Sequence, residues 1–169
     1  FIIDEAYYEY SESICVELVK KHKNIIVTRT FSKAFPLTNA RFGYLCADKS
    51  IIGKINKIKN CKEVNGFSQS IATSVLENIE LFSRRISIVK ENKKYFCNKL
   101  SRSGVSFPES FGNFVFLKHK NHNAILDKLK CKHGILVRSR SDLYPDSFRV
   151  TIGQKSHLDK VLQVIQNEN

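Results

Sequence analysis

The chain has no methionine, and only three prolines and seven glycines among 169 residues. With no methionine at its head, and with Phe1-Ile2-Ile3 reading as the middle of a strand, it is expected to be a piece of a longer chain. The scarcity of proline and glycine leaves no linker-like segment, so a domain boundary has to fall inside a regular element. No apolar run approaches membrane-spanning length and no signal sequence is visible, so no membrane partner is expected. Internal repeats and low-complexity segments are also missing. The five cysteines, Cys15, Cys46, Cys61, Cys97 and Cys131, are odd in number and widely spaced. That excludes a disulfide framework and a metal-ligand cluster, so no metal is expected. Most thiols should be small core residues in a reducing, cytoplasmic setting.

Acidic residues are scarce as well. Sixteen Asp and Glu stand against 28 Lys and Arg, a net charge of +12. Such an excess invites a nucleic-acid reading, which would require salt-dependent oligonucleotide binding. The lysines, however, are spread along helical segments (Lys54, Lys57 and Lys59; Lys90, Lys93 and Lys94) among Asn and Ile, with no separate basic block. They read as a solvated face, and no nucleic-acid partner is expected.

What is present is a set of reactive side chains at the ends of apolar strands. Phe1-Ile2-Ile3 is stopped by Asp4-Glu5, and Ile25-Ile26-Val27-Thr28 by the polar cluster around Lys33. Both runs read as buried strands of a parallel sheet. Ligands of open α/β sheets sit outside the carboxyl ends of the strands, where Asp4, Tyr7 and Lys33 would project. A lysine closing an apolar strand, flanked by Thr30 and Ser32 and followed by Arg41, suits a carbonyl cofactor that also carries a phosphate. Lys33 would supply an amine to the aldehyde, with desolvation and a neighbouring cation keeping that amine free to attack. Asp4 would face a ring nitrogen and Tyr7 a phenolic oxygen, while Thr30, Ser32 and Arg41 would hold phosphate. Taken singly, Asp4-Glu5 also reads as a solvated turn, Ser32-Lys33 as a helix start, Arg41 as a surface ion-pair partner and Tyr7 as packing. It is the ordered set that points to chemistry.

That order, Asp4-Glu5-Ala6-Tyr7 followed by Thr30-Phe31-Ser32-Lys33-Ala34-Phe35 and Arg41, resembles the fold-type I pyridoxal-phosphate enzymes, most closely the histidinol-phosphate aminotransferases. The likeness runs from Asp4 to the last helix and covers roughly the C-terminal half of such an enzyme. It implies an α/β fold: residues 1–80 as the C-terminal part of the cofactor-binding large domain, with a mostly parallel sheet, and residues 81–169 as a small C-terminal α+β domain. It also implies pyridoxal 5'-phosphate as cofactor, with Lys33 as the catalytic lysine. The partners it implies are an amino acid or phosphorylated amine and an oxo acid, in a homodimer whose sites are shared between subunits.

Within the second segment, Phe148-Arg149-Val150-Thr151-Ile152-Gly153 matches the family's carboxylate arginine, so Arg149 would clamp the substrate α-carboxylate with its planar fork. Arg138, closing Ile135-Leu136-Val137, matches a second arginine of the same rim and equally reads as an exposed strand-end charge. Asn113 and Phe114 match the start of a family strand. One departure stands out. Where the family carries a glycine-rich turn after the lysine, this chain has Phe35-Pro36-Leu37-Thr38-Asn39-Ala40, which leaves the cofactor-side turn differently shaped. Phosphoamino-acid decarboxylases resembling threonine-phosphate decarboxylase share the same lysine, and aminotransferase-like sensor domains of transcription regulators share the scaffold, so both stand as alternatives.

Periodicity fills in the remainder. Residues 41–47 alternate as a third strand, and Asp48 or Ser50 caps a helix whose Ile51, Ile52, Ile55 and Ile58 should face the sheet. Helix resumes at residues 68–76, and a long amphipathic helix spans about 79–100, ended by Ser103-Gly104. Strands follow at 113–117, 135–138 and 148–152, with helices at 123–130 and 157–166, giving an antiparallel α+β unit.

Overall fold

A computed structural model describes residues 1–11, 13–60 and 63–168. The elements run β1 (Ile2–Asp4), α1 (Leu18–Lys21), β2 (Ile26–Thr30), a 3-10 turn (Thr38–Ala40), β3 (Gly43–Ala47), α2 (Lys49–Ile58), α3 (Gly66–Glu77) and α4 (Ile79–Arg102). They continue with β4 (Phe114–Lys118), α5 (His122–His133), β5 (Arg138–Ser139), β6 (Ser147–Thr151) and α6 (Lys155–Gln166). The chain forms two compact units, Phe1–Ile86 and Ser87–Asn169, divided within α4. Among the described residues, no helix is long and apolar enough to cross a membrane.

The first unit is built on the β-branched strands. β2 is central in the order β1-β2-β3, parallel to β1 with Asp4 beside Thr28 and antiparallel to β3 with Thr30 beside Gly43. The antiparallel pairing arises because residues 31–42 turn the chain straight back instead of crossing over through a helix. β1 was expected to be buried, yet Ile2 is 72% exposed and Phe1 more so. The reason is its edge position, which leaves β1 with one strand neighbour. Asp48 caps α2 by accepting the Ser50 N–H at 2.9 Å. That bond and one from the Ser50 hydroxyl hold the Asp48 carboxyl below the usual carboxylate range. The isoleucine stripe of α2 reaches only partial burial, and Ile58 is exposed. Asn65 caps α3 through the Ser68 N–H. The unit's main core is small and aromatic: Phe31, Ala34, Phe35, Ala72 and Val75, with Phe42 and Phe82 against it.

The second unit follows its predicted pattern closely. β4, β6 and β5 form an antiparallel sheet in that order, with Phe116 beside Arg149 and Arg138 beside Arg149 across the strands. One face carries Val115, Leu117, Phe148 and Val150 into a core completed by Phe96 and Leu100 of α4, Ile125 and Leu129 of α5, and Leu158, Val161, Leu162 and Ile165 of α6. α5 ends at Gly134, whose φ of 63° is left-handed, with the Ile135 N–H reaching back to the Leu129 carbonyl at 2.9 Å.

Three expectations are corrected here. The strand expected at 135–138 is reduced to Arg138–Ser139, because Ile135 and Val137 pack against the core instead of joining the ladder. Lys93 is not part of a solvated face: its ammonium donates to the carbonyls of Ser110 and, at 2.7 Å, Gly112. Burial lowers its pKa. Among the described cysteines none is fully buried; Cys15, Cys46 and Cys97 are half-buried and Cys131 is exposed, while Cys61 lies outside the described residues.

Candidate active site

Parallel pairing brings the carboxyl ends of β1 and β2 together. Asp4 closes β1, and its Oδ1 accepts the Ala6 N–H at 3.0 Å, starting the turn that carries Tyr7. Thr30 closes β2, and three residues later the Lys33 ammonium lies 5.4 Å from the centre of the Tyr7 ring. The lysine and the tyrosine, 26 positions apart in sequence, therefore meet. Lys33 itself is exposed, whereas Phe31, Ala34 and Phe35 around it are buried in the aromatic core. Buried neighbours fix the backbone at this point and leave the amine outside. The burial expected of Lys33 is not provided by the described residues, which leave its side chain exposed.

The connection from β2 to β3 holds the anion-binding candidates. Thr30 Oγ1 accepts the Ser32 N–H at 3.1 Å, and the Thr38 hydroxyl donates to the Ser32 carbonyl at 3.1 Å. Arg41 follows the 3-10 turn in the left-handed region, at φ 49°, and its Nη1 donates to the Thr38 carbonyl at 3.5 Å. A non-glycine residue there costs about 1 kcal/mol or more. The Ser68 hydroxyl helps fix that turn by donating to the Ala40 carbonyl at 2.7 Å, so α3 supports the loop that presents Arg41. The next strand starts at Gly43 for a steric reason: a Cβ there would lie 2.7 Å from the Arg29 carbonyl oxygen. Thr30, Ser32, Lys33 and Arg41 thus share one short connection.

Sequence reasoning missed the group behind this edge. Arg29 Nη2 lies 2.8 Å from Glu5 Oε2, its Nε donates to the same oxygen at 2.9 Å, and both side chains are almost wholly buried. Glu5 Oε1 accepts the Cys15 N–H. The guanidinium stacks 3.6 Å from the Tyr8 ring centre, and Nη1 donates to the Tyr44 hydroxyl at 3.4 Å. Burial alone would lower the Arg29 pKa, but the bonds to Tyr44 and Glu5 overcome it and raise the net value. Tyr8 is pushed up to about 12, first by burial and then by Tyr44 and Glu9, against an opposing effect of Arg29. Strand register, and no local sequence signal, brings the two together. Asp4 pairs with Thr28, so the next parallel step puts Glu5 beside Arg29.

In the second unit, Arg149 lies on the sheet face opposite the core, 5.0 Å from the centre of the Phe114 ring. Its Nε is buried and has no hydrogen-bond partner among the described residues. Arg138 sits directly across β5 and β6 from it. Like charges opposite one another on adjacent strands repel, and an anion between them would reverse the sign. Two cations and a buried unpaired N–H beside an aromatic ring make a face that can accept an anion.

The family aminotransferase class I and II matches residues 1–165. The chain belongs to that family. This class I and II aminotransferase chain is 37% identical over 171 residues to a dihydroxyacetone phosphate transaminase of Campylobacter jejuni, covering 98% of this chain and 46% of that protein. It is 34% identical over 152 residues to histidinol-phosphate aminotransferase 1 of Carboxydothermus hydrogenoformans, covering 90% and 44%. The chain therefore spans about half the length of the curated relatives it matches. The crystal structure of a histidinol-phosphate aminotransferase from Sinorhizobium meliloti, solved with pyridoxal-5'-phosphate, shares the fold with a TM-score of 0.81 at 24% identity, covering 98% of this chain and 48% of that one. The donor set of this aminotransferase chain fits a phosphate-bearing aldehyde. The Lys33 amine, the Thr30 and Ser32 hydroxyls and Arg41 lie within residues 30–41, with the Asp4 carboxylate at the end of the adjoining strand.

Proposed function

We propose that this chain is the cofactor-holding and carboxylate-reading part of a pyridoxal-phosphate-dependent aminotransferase similar to the histidinol-phosphate aminotransferases. Its substrates are an amino acid or a phosphorylated amine, with an oxo acid as acceptor. The observation that carries this reading is the exposed Lys33 amine held beside Tyr7 at the strand ends, on a backbone fixed by buried aromatic neighbours. Residues 1–80 belong to the large domain and residues 81–169 to the small one, in a cytoplasmic homodimer.

When bound, the pyridoxal ring supplies an electron sink for charge left on the substrate's α-carbon. Lys33 holds the cofactor through its amine and, once released, accepts and returns the α-proton at Nζ. Asp4 keeps the pyridine nitrogen protonated, and Tyr7 donates to the ring oxygen. Thr30, Ser32 and Arg41 bind the phosphate, the arginine through its fork. Arg149 binds the α-carboxylate, with Arg138 beside it. The dihydroxyacetone phosphate transaminase and the histidinol-phosphate aminotransferase among the relatives both name phosphorylated substrates, which supports a phosphorylated amine here.

The test is to incubate the full-length protein with pyridoxal phosphate, reduce it with borohydride and map the peptides. The pyridoxyl group is expected on Lys33. Labelling of another lysine, or of none, would end the assignment.

A further inference from the structure

The motif residues account for one side of the β1–β2 edge and leave the Glu5–Arg29 pair without a role. Side chains alternate across a strand, so Asp4 and Thr30, which face the candidate site, are each followed or preceded by a residue on the opposite face: Glu5 after Asp4 and Arg29 before Thr30. Those two meet at 2.8 Å. The guanidinium gives its Nε–H to one carboxylate oxygen, with Nη2 2.8 Å from the same oxygen, and the other oxygen holds the Cys15 N–H, so the segment after Tyr7 is tied to the same point. Tyr8, next to Tyr7, places its ring centre 3.6 Å from the guanidinium carbon, and the Tyr44 hydroxyl of β3 accepts from Nη1. One arginine thus gathers the turn bearing Asp4 and Tyr7, the strand leading to Lys33 and the strand following Arg41.

We propose that Glu5 and Arg29 are positioning residues for the cofactor site. The pair fixes the separation between the Asp4–Tyr7 turn and the Thr30–Lys33 segment. This inference rests on the reading of the site given above. A charge-assisted hydrogen bond within a buried ion pair holds geometry better than either strand's backbone pairing alone, because β1 has only three ladder residues at a sheet edge. Neither residue touches the cofactor, so their effect travels through Asp4, Tyr7 and Lys33.

The experiment compares full-length wild type with Glu5→Gln and Arg29→Lys, each without and with added pyridoxal phosphate. Glu5→Gln keeps the bond to Cys15 and removes the charge; Arg29→Lys keeps the charge and removes the fork and the stack. Three quantities are read well below the melting temperature: the cofactor dissociation constant, the pH midpoint of the bound cofactor's visible absorbance, and the melting temperature without cofactor. Positioning predicts at least about tenfold weaker cofactor binding in both variants, the scale of one charge-assisted hydrogen bond. It also predicts a shifted spectral midpoint in the folded protein. Variants that melt lower but bind with wild-type affinity and midpoint would overturn the proposal and leave the pair a stabilising contact only. Should Glu5→Gln fail to fold, Arg29→Lys decides alone. A wild type that binds no pyridoxal phosphate overturns the reading of the site and this proposal with it, an outcome distinct from unperturbed variants of a binding wild type.

Discussion

The two units of the chain bury themselves very differently. The second gathers fourteen buried apolar residues in one cluster, drawn from α4, α5 and α6 and from β4, β6 and Ile152 just after it, whereas the first gathers five around Phe31 and Phe35. The first unit nevertheless holds the amine, the carboxylate, the phenol and the phosphate-binding candidates. It presents them on an edge strand and a strained connection, with Arg41 in the left-handed region. The difference shows a division of labour: the second unit supplies a closed core that holds two arginines on its open face, and the first supplies reactive groups on a sheet that its own residues cover only in part. Local stability follows buried apolar contact, so the first unit is expected to open more easily than the second.

The largest effect that can break this comparison is on chemistry. Lys33→Ala in the full-length protein should lower turnover by about 10²–10⁴-fold or more, the scale for losing a positioned acid–base group. It should leave the second unit's amide exchange unchanged. Retained turnover would remove the first unit's claim to the chemistry.

Next comes packing. Phe148 is fully buried at the centre of the second core, so Phe148→Ala should destabilise that unit by about 3–5 kcal/mol. Phe35→Ala, in the smaller core, should cost less than about 3 kcal/mol, because its surroundings can collapse onto Phe31 and Phe82. Amide exchange resolved by peptide reads each unit separately. Equal costs would show that the first unit is as tightly packed as the second.

The same contrast explains what the sequence disclosed. Elements with a clean period were legible: the alternating strand at 148–152, the stripe of α6 and the Asp48 cap can all be read from neighbours in the chain. The meeting of Lys33 and Tyr7 was legible because parallel strand ends converge by geometry. The run at 135–138 misled because apolar residues that pack on a core look like strand residues whether or not they join a ladder. The exposure of β1 and of Lys33 was hidden because burial depends on which strands lie alongside, and a short β-branched run does not disclose whether it is central or an edge. Glu5 was hidden in plain view. A glutamate after a strand looks solvated until register brings an arginine 24 positions away to its side.

A smaller effect sharpens the role of the second unit. Arg149→Lys replaces a planar fork with a point charge on the face shared with Arg138 and Phe114. The expected outcome is a KM for the amino-acid donor raised by about tenfold or more, with the cofactor dissociation constant unchanged. Steady-state kinetics with a cofactor titration checks it. A change confined to cofactor binding would place Arg149 elsewhere in the mechanism.

The smallest effect is on stability at high pH, and it again separates the units by a single tyrosine in each. Burial, followed by Tyr44 and Glu9, pushes Tyr8 up to about 12 from an ordinary value near 10. Between those two values the folded chain keeps a proton that the unfolded chain has released, so unfolding becomes easier as pH rises. The contribution is complete below about pH 10 and is lost as pH passes through about 12. The ring is only half-buried and solvent screens the interaction, so the loss should be no more than about 1 kcal/mol. Tyr8→Phe removes the titrating group and should flatten that part of the slope. Tyr95 of the second unit, whose pKa is raised chiefly by its hydrogen bond to Asp159, serves as the comparison. Tyr95→Phe should alter the slope for the second unit's exchange and leave the first unit's untouched. Urea midpoints and amide exchange at pH 9 and pH 11.5 read both. A Tyr8→Phe variant that keeps the full wild-type slope in the first unit would show that the phenol stacked on Arg29 does not set it.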